Sequence, residues 1–227
     1  MNKQINSYGD RLLWSSNLGY GGEICSQRID SLDRMAIHEA TRLADLMEEK
    51  RPVIYDIGSG LGTMSMKFAE IGCTVITCSM EPMPYLRRFA QETGAIMPGH
   101  ILQTDARSVD WTVFPEANII YSQRFLHYIR FHQAVKLIRS VTDRADSCGV
   151  YLSISGLSSE LGFGYFRAPL ENRFGYLSKE MAHKHNIHQK VCLYDMDDAQ
   201  LLMVLCGLTI TRLWLSDFGN IKIQAKR

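Results

Sequence analysis

The chain has 227 residues, and 25 Lys+Arg against 24 Asp+Glu leave a formal net charge of +1. At roughly 100–200 residues per domain this is the size of one elaborated domain, and 46% hydrophobic with 22% charged residues excludes collagen-like, mucin-like and wholly disordered chains. The near-zero balance argues against stable duplex nucleic-acid binding, which rests on a basic face that neutralises phosphates.

The first thirty residues carry charges throughout and lack the apolar core of a signal peptide. No later run approaches the roughly 20 apolar residues that span a bilayer, so a cytoplasmic protein without membrane contact is expected. Up to Ile29 the chain sets Tyr8, Trp14 and Tyr20 among glycines and reads as an elaboration around a site. Ser31 to Lys50 has the apolar spacing of a helix, with Asp33 near its start and Lys50 at its end. Arg51-Pro52 stops it. Val53–Ile57 then reads as a buried strand, Thr63–Ile71 as a helix, Thr74–Cys78 as a strand and Pro84–Thr93 as a helix. His100–Gln103 and Asn118–Tyr121 read as strands, Phe131–Arg144 as a helix and Val150–Ile154 as a fifth strand. Asp197–Cys206 is a helix ended by Gly207, a residue suited to the left-handed turn after a helix. Leu208–Trp214 and Ile221–Ala225 close the chain as two strands whose direction stays open.

This alternation predicts an α/β fold, a doubly wound and mostly parallel seven-stranded sheet with helices on both faces. Between Ser155 and Leu193 the rhythm breaks into a Gly- and aromatic-rich run, and a connection this long inside a domain reads as a lid. The expected organisation is a single domain over 1–227. It comprises an N-terminal extension and helix (1–50), a ligand-binding core (51–154), the lid insert (155–193) and a C-terminal helix with strands (194–227). Six cysteines, Cys25, Cys73, Cys78, Cys148, Cys192 and Cys206, contain no C-x-x-C pair, so they read as reduced, buried thiols, with no metal expected.

The chemistry concentrates in Asp56-Ile57-Gly58-Ser59-Gly60-Leu61-Gly62-Thr63, where a strand enters three alternating glycines and then a helix. Glycine brings the backbone within reach of a ligand that a β-carbon would exclude. The first strand-to-helix turn of an open α/β sheet is where ligands lie. The dinucleotide fingerprint G-x-G-x-x-G would put its third glycine where Thr63 stands, and a carboxylate at Asp56 disfavours a pyrophosphate. The second strand ends at Glu81-Pro82, 19 positions after Gly62, and a carboxylate there can accept from both ribose hydroxyls, which also fits NAD.

The spacing G-x-G-x-G preceded by Asp56 resembles the first motif of the class I S-adenosylmethionine-dependent methyltransferases. That resemblance covers Arg51 to Ile154 well and the flanking segments poorly. It implies S-adenosyl-L-methionine as cofactor, bound by Asp56, Gly58, Ser59, Gly60, Gly62, Glu81 and Pro82, with Asp56 tolerated beside its ammonium and sulfonium and Glu81 accepting from its ribose. It further implies Asp105 and Ala106 at the adenine, and Ser122 and Gln123 after the fourth strand beside the methionyl group.

Methyl transfer is an in-line displacement that alignment alone accelerates, so no catalytic residue need be visible. His127 is the candidate base and Tyr128 the candidate acceptor-orienting residue, just beyond the fourth strand. A helix-holding histidine and a core tyrosine are the plainer alternatives. Arg124 reads as a loop arginine or an anion contact. In the insert, Phe163, Tyr165, Phe166, Phe174 and Tyr176 with Arg167 and Arg173 read either as a surface for an aromatic or anionic substrate or as a self-packed lid. His183, His185 and His188 lack the spacing of a helical metal site and read as a solvated helix end. Asp195, Asp197 and Asp198 read as a helix N-terminal cluster.

After the fourth strand there is no Asn/Asp-Pro-Pro-Tyr/Phe run and no Pro-Cys nucleophile, which disfavours planar-amine methylation of DNA or glutamine and cytosine C5 chemistry. The expected function is methyl transfer to O or N of a small-molecule acceptor, with a homodimer left open. The alternatives are a protein or RNA acceptor, or a non-catalytic cofactor-binding partner protein.

Overall fold

The computed structural model describes residues 16–21, 29–47 and 49–227. Tyr8, Trp14 and Cys25 lie outside the described residues. The strands are β1 (Val53–Ile57), β2 (Thr74–Ser79), β3 (Ile101–Gln103), β4 (Ile119–Gln123), β5 (Gly149–Ile154), β6 (Thr209–Leu215) and β7 (Ile221–Lys226). They form one sheet in the order β3-β2-β1-β4-β5-β7-β6. β1 to β5 are parallel, and β7 runs antiparallel to both β5 and β6. The helices are α1 (Ser31–Leu46), α2 (Thr63–Glu70), α3 (Pro84–Thr93), α4 (Phe131–Thr142), α5 (Lys179–His185) and α6 (Met196–Leu205).

Alternate residues of a strand face opposite sides of a sheet, and both sides here are covered. Leu32, Ala36 and Ala40 of α1, Phe68 of α2 and Leu86 of α3 pack on Ile54, Val75, Ile119 and Tyr151. On the other side Leu137 and Ile138 of α4 and Leu202 and Met203 of α6 pack on Tyr55, Ile57, Ile120 and Leu152. That double burial explains why the inner strands read as continuous apolar runs. The strand order reverses between β1 and β4, which opens a crevice at their carboxyl ends.

Most sequence boundaries stand within two residues. α1, however, ends at Leu46 instead of reaching Lys50. Met47 still donates to Leu43 at 2.9 Å but leaves the helical region (φ −98°, ψ 60°), since the chain must turn toward Arg51-Pro52 and a residue before proline disfavours helix. Cys73, Cys78, Cys148, Cys192 and Cys206 are free and buried, and burial pushes the Cys78 thiol up to about 12. No helix among the described residues is long and apolar enough to cross a membrane.

The insert packs a small core of its own from Leu161, Tyr165, Leu177, Met181, Ile187, Val191 and Leu193. Helix α5 lies within it; the sequence suggests only a helix end at its histidines and not its extent, because KEMAHKH buries only Met181 and so shows no apolar period. Arg173 pins the insert to α6. It is paired with Asp198 and donates to the carbonyls of Ala168 (2.9 Å) and Leu193 (3.1 Å). Asp195 and Asp198 form a reciprocal cap at the start of α6, as the acidic cluster implies.

Candidate functional site

The crevice is built from the ends of β1 to β4. After β1, Gly58, Gly60 and Gly62 take positive φ (75°, 56° and 79°), a region that L side chains avoid. The amides of Gly58 and Ser59 donate to the Cys78 carbonyl (2.8 and 3.0 Å), docking the turn onto β2. A β-carbon on Gly58 would lie 2.3 Å from Phe125 Cβ, so the glycine also lets the segment after β4 close against the turn. Gly62 is the left-handed cap of α2. Asp56 is buried and accepts the Ser65 hydroxyl at 2.6 Å, so α2 orients the carboxylate at the end of β1.

Two further carboxylates follow at the ends of β2 and β3. Glu81 is buried; its amide donates to Ser79 Oγ (3.2 Å) and its carboxylate accepts the Ser16 hydroxyl. Asp105 is gripped by Arg107 through Nη2 (2.5 Å) and Nε (2.9 and 3.0 Å), and these hydrogen bonds hold its carboxyl below the usual range against the opposing effect of burial. Arg107 reaches on to Gln133 on α4 at 2.9 Å.

At the end of β4 a polar network joins three elements. Gln123 Nε2 donates to Asp33 Oδ1 (2.7 Å), which also accepts the Tyr121 hydroxyl (2.6 Å). Lys222 of β7, almost fully buried, donates to Gln123 Oε1 (3.1 Å) and pairs with Asp30 at the cap of α1. Burial pushes the Asp30 carboxyl up, but the Lys222 ammonium and the capped amides outweigh it and hold it below its ordinary value.

Beyond β4, Leu126–Tyr128 forms a single tight turn that presents His127 and Tyr128. Their rings lie 4.1 Å apart. His127 is buried and its Nδ1 has no hydrogen-bond partner among the described residues. Burial, helped by the Arg124 cation, lowers its pKa to about 3, so the imidazole is neutral at physiological pH. The Tyr128 hydroxyl donates to the Tyr20 carbonyl at 2.6 Å.

No family model and no curated protein sequence matches this chain. Solved structures do. Magnesium protoporphyrin IX methyltransferase (ChlM) from Synechocystis PCC 6803, with bound S-adenosylhomocysteine, is similar at TM-score 0.57 and 13% identity, over 88% of each chain. The Burkholderia thailandensis 1,6-didemethyltoxoflavin-N1-methyltransferase is similar at 0.56 and 13%, over 85% of this chain and 78% of that one. An O-methyltransferase family 2 protein from Planctomyces limnophilus DSM 3776, in complex with apigenin, is similar at 0.53 and 16%, over 88% and 62%. The chain has the class I methyltransferase fold.

In this methyltransferase fold the crevice widens into a cavity of about 590 Å³, within the span of about 300–1,000 Å³ usual for ligand sites. Of the candidate site residues read from the sequence, Asp56, Gly58, Ser59, Gly60, Glu81, Asp105, Ala106, Gln123, His127 and Tyr128 line it. Three do not. Gly62 is spent on capping α2, Pro82 is exposed beside the buried Glu81, and Ser122 is buried with its hydroxyl donated to the Ile57 carbonyl at 2.8 Å. Ser122 tracks strand alternation: its neighbours Tyr121 and Gln123 face the cavity, so it faces away.

The insert aromatics do not form a surface on the cavity; they pack within the insert or lie outside it. Tyr165 is in the insert core with its hydroxyl on the Val191 carbonyl (2.6 Å), and Phe174 stacks under Arg130, 5.1 Å from its ring. Phe163, Phe166 and Tyr176 are exposed on the outside, Arg167 is exposed, and Arg173 is buried against Asp198. None of these lines the cavity; Arg124 does. His185 corrects the solvated-end reading. It is half-buried, faces the cavity and lies 3.2 Å from Glu160, whereas His183 and His188 are exposed. Burial lowers the His185 pKa and the Glu160 carboxylate opposes that. Tyr20, Arg34, Trp214 and Lys222 also line the cavity. The glycine- and aromatic-rich N-terminal stretch hints at Tyr20, but no local sequence pattern marks Arg34, Trp214 or Lys222, because each reaches the site from an element distant in the chain.

Proposed function

We propose that this chain binds S-adenosyl-L-methionine in the cavity and methylates O or N of a small-molecule acceptor. One observation carries the reading: three carboxylates, at the ends of β1, β2 and β3, converge with a glycine turn on a single cavity at the switch point of the sheet. That donor set suits a ligand with an ammonium, a ribose and an amino-bearing base. Asp56 would face the cationic methionyl end, directly or through water. Glu81 would accept from the ribose hydroxyls, and Asp105 with Ala106 would receive the adenine. When bound, the cofactor supplies a methyl group on a sulfonium, which is electrophilic and leaves a neutral thioether behind.

The chain's own residues then have three tasks. Gly58 to Gly60 and Gln123 bound the end of the cavity next to β1 and β4, so that the reacting centres are aligned. His127, neutral and with an unpaired Nδ1, is a hydrogen-bond partner for the acceptor; a pKa of about 3 makes it a weak base. His185 with Glu160 is better poised to take a proton where the acceptor must lose one. The bound small molecules of the structural neighbours support a small-molecule acceptor here, and the aromatic and apolar walls from Tyr128, Leu161, Ile187 and Trp214 support a partly apolar one.

The test is calorimetric titration of the purified chain with S-adenosylhomocysteine, alongside mass spectrometry of any ligand it retains. Micromolar binding, or a retained adenosyl thioether, is expected. A flat titration at millimolar ligand removes the proposal.

A further inference from the structure

Residues 16–21 form a strap over the cavity, organised around one hydroxyl. Ser16 Oγ accepts the amides of Leu18 (3.1 Å) and Tyr20 (3.0 Å) and donates to Glu81. The amide of Ser16 donates to the Gly21 carbonyl at 2.8 Å, closing the strap into a loop. The insert holds its other side. Gly21 donates to the Asn186 carbonyl (3.0 Å), His188 to that of Gly19 (2.8 Å), and Gln189 Nε2 to that of Leu18 (2.7 Å).

Tyr20 is the side chain that this arrangement aims. Its ring meets Tyr128 edge-on, 5.0 Å between centroids at 83°, and its carbonyl accepts the Tyr128 hydroxyl. Its own hydroxyl lies 3.6 Å from Met80 Sδ, at the end of β2. The ring therefore spans the cavity from the β2 end to the turn after β4. Its hydroxyl also feels both acids of the nucleoside half: burial pushes it up, Asp105 adds to that, Arg107 opposes and Glu81 adds again.

We propose that Tyr20 is a nucleoside-positioning residue, its ring forming the roof of the adenosine half of the cavity, with Ser16 coupling the strap to the ribose carboxylate Glu81. The assignment rests on the methyltransferase reading of this cavity. A ring in that place offers an adenosine both apolar contact and a π face. It makes the subsite depend on two distant segments, the strap and the insert, which only meet when both are folded onto the core.

The experiment uses the full chain and titrates S-adenosylhomocysteine and adenosine separately into wild type, Tyr20→Ala, Tyr20→Phe and Tyr176→Ala. Tyr20→Ala is expected to weaken both ligands on the order of 10-fold, Tyr20→Phe to stay within about 2-fold because the ring remains, and Tyr176→Ala, outside on the insert, to bind like wild type. In kinetics with S-adenosylmethionine the loss should fall on KM, with kcat retained. Hydrogen exchange on the wild type gives a second readout that needs no variant: amides of residues 16–21 should gain protection on saturation with S-adenosylhomocysteine. Wild-type-like affinity in Tyr20→Ala, or strap amides unmoved by bound ligand, overturns the inference while leaving the cofactor site standing. A wild type that binds neither ligand overturns the underlying reading instead.

Discussion

Lys222→Met probes the network that ties the start of α1 to the cavity wall. In the native chain the ammonium is almost fully buried, pairs with Asp30 and donates to Gln123. Removing one partner of a fully buried pair costs about 3–5 kcal/mol. Asp30, however, keeps 35% of its side-chain surface, so water recovers part of the loss and about 2 kcal/mol is expected. For a chain of this size, at about 2–4 °C per kcal/mol, the melting temperature should fall by roughly 4–8 °C. The assay is thermal unfolding followed by circular dichroism at pH 7 for wild type, Lys222→Met, Asp30→Asn and the double variant. Asparagine still caps a helix, so the cycle isolates the charge pair, and a coupling of about 1–2 kcal/mol should remain. The pair also sets a pH dependence. The Asp30 carboxyl titrates lower in the folded chain than its ordinary 3.8, so folding favours the carboxylate; the stabilisation is present above that value and disappears as pH falls through the lower folded one. The stability gap between wild type and Asp30→Asn should therefore close below about pH 4. A melting temperature unchanged within 1 °C in Lys222→Met, or additive single variants, would refute the reasoning.

Three other outcomes are expected. Gly60→Val places a β-branched side chain at φ 56° in the turn and should abolish measurable S-adenosylhomocysteine binding while the far-ultraviolet dichroism stays native; retained affinity would count against the turn as part of the site. Glu81→Ala should weaken the same ligand by roughly 1–3 kcal/mol through lost charge-assisted hydrogen bonds, read by calorimetry, and an unchanged Kd would move the ribose elsewhere. His127 folds neutral with a pKa of about 3 against 6.5 unfolded, so it contributes stability above pH 6.5 that is lost on acidification, by about 1.4 kcal/mol per pH unit. His127→Asn should flatten the chain's stability between pH 6.5 and 4.5 in urea titrations, and an unaltered slope would show that the imidazole is not desolvated as described.

The legible parts of this molecule were those encoded over a few residues. The strands β1 and β2 are short β-branched runs, and α3 is bounded by Pro84 and Gly94, so both boundaries could be read directly. The cavity residues Asp56, Gly58, Gly60, Glu81 and Asp105 sit at strand ends, where the parallel sheet gathers them automatically. Gly62 and Ser122 share the same motifs yet face away, because strand alternation and helix capping, not motif membership, decide where each points.

Sequence alone was enough for the seven-stranded α/β plan and the glycine turn, since periodicity and backbone permissiveness are local properties of the chain. It left open the direction of β6 and β7, which depends on antiparallel pairing of Ile221–Lys226 with both β5 and β6. Tertiary structure decided the partners of charges: Arg173 became a buried tie to Asp198 instead of a substrate contact, and Lys222 met Asp30 across 192 positions. It also brought Tyr20 and His185 to the cavity from the strap and the insert. Which charges lose water together, and which rings share a wall, is set by contacts between segments far apart in the chain, and no window of neighbouring residues contains that information.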